Sequence, residues 1–140
     1  MATTLKAKDR KACDTLLADT ITAKILQKKR TLFLDCSDNR SSYLFHEKDL
    51  PFLVDSLFIE KIGRVDELIG QLETWEGNEQ HQGYDILLIS PFRDLLEQET
   101  GRKDEQQLIM ARIEQLTEQA EQRGKEVLVL EVEESRETPT

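Results

Sequence analysis

Residues 84–91 read Tyr84-Asp85-Ile86-Leu87-Leu88-Ile89-Ser90-Pro91, the most apolar segment of the chain. A strand with one wet face alternates apolar and polar residues, whereas a continuous apolar run belongs to a strand covered on both sides. Pro91 has no N–H to donate to a ladder, so the strand has to stop there. The stretch therefore predicts a central strand over 84–90.

Working outward, Thr31-Leu32-Phe33-Leu34-Asp35-Cys36 has the same continuous character and runs into the turn-rich Ser37-Asp38-Asn39-Arg40-Ser41-Ser42. Ser56 to Ile62 and Glu126 to Val132 complete a set of four predicted strands. Between them the apolar period changes. Cys13, Leu17, Ile21 and Ile25 recur every four residues with Leu16 alongside, and Val65, Leu68, Ile69 and Leu72 recur at three and four. These periods predict amphipathic helices over 12–28 and 64–76. A long helix over 104–123 turns Ile109, Ile113, Leu116 and Ala120 inward, and Gly124 suits its C-cap. Short helical turns are expected around 48–55 and 92–98. Strands alternating with helices predict an α/β domain, a mostly parallel sheet covered by helices on both faces with right-handed crossovers.

The 140 residues suit one domain, with 38% hydrophobic and 34% charged residues and a mean hydropathy of -0.54. The division expected is a flexible basic N-terminus over 1–11, the α/β domain over 12–132 and a disordered acidic tail over 133–140. The net charge of -9 opposes general polyanion binding. The charge is uneven, however. Residues 1–30 hold eight bases and three acids, so a basic end joins an acidic body. That end could meet nucleic acid or an acidic subunit, or simply be a solvated helix face.

Cys13 and Cys36 form no CxxC pair, and structural thiols in a reducing compartment are the expectation. No apolar run reaches the length of a membrane span, and MATTLKAKDR lacks the apolar stretch of a secretory signal, so no membrane association is expected.

Ligands of open α/β sheets bind beyond the C-terminal strand ends. Here those ends lead into Asp35 to Arg40, Gly63-Arg64, Ser90 to Arg93 and Glu131 onward. Neither GxxxxGK[ST] nor GxGxxG occurs, and the single Gly-Lys pair, Gly124-Lys125, precedes a strand. The elbow GxSxG is missing, and His46 and His81 have no second histidine at helical spacing. Asp35 and Asp38 could hold magnesium as a receiver domain does, but a receiver also wants an aspartate ending the third strand, where Ser90 stands.

The helix 12–28, the basic turn Lys28-Lys29-Arg30, the strand end Leu34-Asp35-Cys36-Ser37, the small strand Phe58 to Ile62, the Val65-to-Leu72 helix and the strand Tyr84 to Ser90 together resemble the middle of a RecA-type recombinase core, of the eukaryotic and archaeal recombinases and their paralogues. The resemblance spans about residues 12–132 and implies a truncated RecA-like core. It also implies what is missing. Ser37 stands where the family's glutamate activates water, Ser90 where its magnesium-associated aspartate ends the central strand, and Met1 to Lys11 has no glycine for a phosphate loop.

Small members without ATP sites pair with another recombinase-like subunit, as in the Shu complexes that assist recombinase filaments. The resemblance thus implies a non-catalytic nuclear subunit that needs no cofactor or metal, supports homologous recombination and DNA repair, and reaches DNA through its complex. Arg93, Arg102 and Lys103 lie in the loop corresponding to a DNA-facing loop, and Lys28, Lys29 and Arg30 are auxiliary candidates for phosphate contacts. The competing reading pairs Arg102 and Lys103 with Glu97, Glu99 and Asp104. Trp75 and Tyr84 are read as core or interface residues. A structural RecA-like subunit of another assembly, such as the accessory ring of Elongator, and a small flavodoxin-like or receiver-like domain remain alternatives.

Overall fold

The computed structural model describes residues 2–36, 57–74 and 83–133. In chain order these form β1 (Thr3–Ala7), α1 (Arg10–Leu26), β2 (Thr31–Asp35), β3 (Leu57–Lys61), α2 (Val65–Thr74), β4 (Ile86–Ile89), α3 (Arg93–Glu99), α4 (Lys103–Gln122) and β5 (Glu126–Val132). The five strands make one parallel sheet in the order β1-β5-β4-β2-β3. The fold is α/β with helices on both faces.

The continuous apolar strands occupy the middle, as their composition demands. Phe33 pairs in register with Leu88 and Leu88 with Leu128. Every residue of β2 and β4 is buried. Alternate side chains then feed two cores. Leu32, Leu34, Leu87, Ile89 and Val127 meet α2, α3 and α4 on one face. Phe33, Ile86, Leu88, Leu128 and Leu130 meet Cys13, Leu17 and Ile21 of α1 on the other.

Local chemistry sets the helix ends. The Asp9 carboxylate accepts the Ala12 N–H at 2.8 Å and starts α1. Glu67 reaches back to the backbone N–H groups of Gly63 (2.7 Å) and Arg64 (3.2 Å) to start α2. α4 closes on a Schellman motif, in which the Gly124 N–H donates to Glu121 and the Lys125 N–H to Ala120, with Gly124 at φ 90°. α1 closes in the same way through the Lys29 N–H and the Lys24 carbonyl, but Lys28 holds the left-handed position, at φ 64°.

The sequence reading of residues 1–11 as a flexible basic N-terminus needs correction, because Thr3–Ala7 is a strand in register with Leu128 to Val132 of β5. It was hidden because an edge strand needs few inward side chains. Leu5 and Ala7 alone pack against the α1 core, and the lysines between and after them mask the alternation. The helical turn read over 48–55 and the tail from 134 onward lie outside the described residues. So does Trp75, while Tyr84 is a core residue. Among the described residues no helix is long and apolar enough to cross a membrane.

Read from the other edge, β3-β2-β4-β5 is the 2-1-3-4 order of doubly wound sheets, and β1 is added at the edge beside β5 alone.

Candidate functional site

From β2 the chain proceeds to β3 on one side of the sheet, and from β4 it proceeds to β5 on the other. Between those two strands lies the topological switch point where open α/β domains hold ligands. A broad depression of about 1000 Å³ opens over this rim, with Cys36, Ile62, Phe92 and Met110 among its apolar lining and Arg93 and Lys103 among its charged lining.

The floor of the crevice is closed by protein groups. The Cys36 N–H donates to the Ser90 hydroxyl at 2.6 Å, and the Ser90 N–H donates to the Leu34 carbonyl at 3.1 Å. Ser90 is fully buried, and Asp35 beside it is 1% exposed. One serine thus ties the two strand ends together at the floor of the crevice.

Burial pushes the Cys36 thiol up from 9.0 to about 12; the Ser90 hydroxyl pulls against that shift and the neighbouring Asp35 adds to it. The folded state therefore prefers the protonated thiol. Above about pH 9 the unfolded chain releases a proton that the folded chain keeps, so this group's contribution to stability falls as pH rises toward about 12. Cys13 is buried as well. The folded protein is expected to resist maleimide at neutral pH, with both thiols reacting after unfolding in urea, as counted by mass spectrometry. Rapid labelling of Cys36 in the folded protein would contradict its placement.

Side chains fill the starts of α1 and α2, whereas α3 and α4 begin without a side-chain cap. Two residues, Lys8 and Asp9, connect β1 to α1, and the carboxylate of Asp9 takes the N–H that a phosphate would seek. Glu67 does so for α2. Arg10 crosses from α1 to Asp94 of α3 at 2.7 Å. Among the described residues no group of histidine, cysteine, aspartate or glutamate is arranged to hold a metal ion.

The six basic candidates from sequence fall into three sets. Arg93 and Lys103 line the depression, and no ion pair among the described residues engages either. Arg102 pairs with Asp104 at 3.1 Å and lies 3.7 Å from Glu105, so the competing salt-bridge reading holds for it. Lys28, Lys29 and Arg30 precede β2 and lie at the opposite rim. Strands of about five residues separate the rims by roughly 16 Å, so the six do not share one surface. Ser37, Asp38, Arg40, His46 and His81 lie outside the described residues.

Sequence reasoning missed two contributors to the opposite rim. Arg123 and Lys125 precede β5, two strands from β2. The Lys125 ammonium donates to the Tyr84 carbonyl at 2.6 Å and lies 4.7 Å from the Tyr84 ring centroid. Their only sequence signal is a basic pair flanking the C-capping Gly124. A search of family models found no match to the chain, and neither did a search of curated proteins.

Proposed function

We propose that the chain is a non-catalytic recombinase-paralogue subunit of a nuclear complex that supports homologous recombination and DNA repair, paired with another recombinase-like protein. The observation that carries the non-catalytic part is the β1–α1 connection. A nucleotide-binding domain needs a glycine-bearing loop there, whose N–H groups converge on phosphate. Here the connection is Lys8-Asp9, and the carboxylate of Asp9 already occupies the helix start. Phosphate would meet a like charge on the donors it requires. The Cys36–Ser90 bond supports the same reading, because the buried hydroxyl stands where the resemblance places a magnesium-associated aspartate.

The recombinase-paralogue part rests on the sequence resemblance together with an all-parallel sheet covered on both faces. Titration calorimetry with ATP and magnesium is expected to show no binding, and a phosphate-release assay no turnover, for the chain alone and for the complex it co-purifies with. Turnover lost on Asp35→Asn would overturn the non-catalytic reading. Affinity capture from the native cell, followed by mass spectrometry, is expected to return a recombinase-like subunit. A stable complex with no such subunit would overturn the pairing.

A further inference from the structure

We propose that the rim formed by the N-terminal ends of β2, β4 and β5 is a nucleic-acid backbone site, built from Lys28, Lys29, Arg30 and Arg123 with Lys125 behind them. It deepens the reading above by giving the recombination subunit a nucleic-acid contact, and it rests on that reading for its class of partner. Binding at this rim is read directly in the test below, so failure of the recombination assignment is distinguishable from failure of this site.

Three loops distant in sequence meet here because β5, β4 and β2 are neighbours in the sheet. Backbone bonds tie them together. The Asp85 and Ile86 N–H groups donate to the Arg30 carbonyl at 2.8 and 3.1 Å, and the Glu126 N–H donates to the Asp85 carbonyl at 3.0 Å. Among the described residues of these loops, Asp85 and Glu126 are already engaged. Asp85 accepts the Arg30 backbone N–H at 3.0 Å, and Glu126 pairs with Lys24 at 3.0 Å. Lys28, Lys29 and Arg30 are exposed, and their side chains form no ion pair among the described residues.

The C-termini of α1 and α4 also point to this rim, and cations near helix C-termini stabilise them. Lys24 and Arg123 meet that need. It does not account for Lys28 at φ 64°, where glycine would close the helix with less strain. The left-handed residue carries a charge at a conformational cost, as residues at functional turns do. One exposed aliphatic residue, Leu26, borders the patch. A lipid surface calls for the apolar face of an amphipathic helix, so phosphates of a nucleic-acid strand fit these short loops better.

The test is fluorescence anisotropy of the full chain, alone and in its native complex, with a labelled mixed-sequence single strand and the matching duplex across a salt series. Four phosphate contacts predict a slope of log K against log salt of about -3.6 on duplex. The triple variant Lys28→Gly, Lys29→Ala, Arg30→Ala is expected to lose on the order of ten-fold in affinity and about three units of slope. Lys28→Gly alone is expected to raise the denaturation midpoint while weakening binding, which separates loss of charge from loss of fold. Arg93→Ala with Lys103→Ala, at the other rim, should bind as wild type does. Four outcomes would overturn the site: no salt-dependent binding by wild type, wild-type binding by the triple variant, loss confined to the Arg93 and Lys103 variant, or binding to phosphatidylserine vesicles with none to either oligonucleotide.

Discussion

Ser90→Asp is expected to destabilise the protein by about 3–5 kcal/mol, the usual cost of leaving a charge buried without compensation. The Ser90 hydroxyl is fully buried and accepts the Cys36 N–H, and Asp35 lies buried on the adjoining strand end. A carboxylate would not fit the short span of that bond without spreading β2 from β4, and it would stand beside a second buried acid. For a chain of this length the loss corresponds to a fall in denaturation midpoint of roughly 4 °C per kcal/mol. Ser90→Ala, which only strips the Cys36 N–H of its acceptor, should cost about 1–3 kcal/mol. Thermal unfolding followed by circular dichroism measures both. Adding magnesium should leave the Ser90→Asp midpoint unchanged, because no second donor set waits at the rim among the described residues. A variant as stable as wild type, or one rescued by magnesium, would mean that the crevice is an open metal site and not a closed seam.

Phe33→Ala should be the other large loss, about 3–5 kcal/mol. Phe33 is fully buried at the centre of the core beneath α1, between Ile59 of β3 and Leu88 of β4 in register. α1 is the only described helix on that face, and Cys13, Leu17 and Ile21 pack into the same cluster as this ring. Removing it opens a cavity on the side with the fewest elements to collapse into the space. Measured against a typical total of about 5–15 kcal/mol, such a loss brings the chain close to unfolding. Urea denaturation should show a clear drop in midpoint, and Phe33→Leu should restore most of it, costing less than about 1.5 kcal/mol. A cost below about 1 kcal/mol for the alanine variant would show that α1 is held by contacts other than this ring.

The central strands and the long helices were legible because their burial is written in local periodicity. Ile86 to Ile89 is apolar without interruption since both of its faces are covered, and Pro91 marks where its ladder ends. Val65, Leu68 and Leu72 are buried at the spacing read from sequence, as are Ile113, Leu116 and Ala120. β1 was not legible. An edge strand over one core needs only Leu5 and Ala7, too few to stand out among lysines, and its partner β5 lies more than a hundred residues away in sequence.

The lack of glycine between β1 and α1 and the serine at the end of β4 are matters of residue type and were readable directly. Which basic residues share a surface was not. Lys28, Arg30, Arg123 and Lys125 come together through the strand order, whereas Arg93 and Lys103 face the other rim. Sequence by itself determined an α/β domain with buried central strands, since apolar pattern and proline and glycine placement are local properties of the chain. Tertiary structure alone decided the neighbours. A parallel sheet returns every strand start to one rim and every strand end to the other, so long-range pairing, β5 beside β4 beside β2, selects which loops meet.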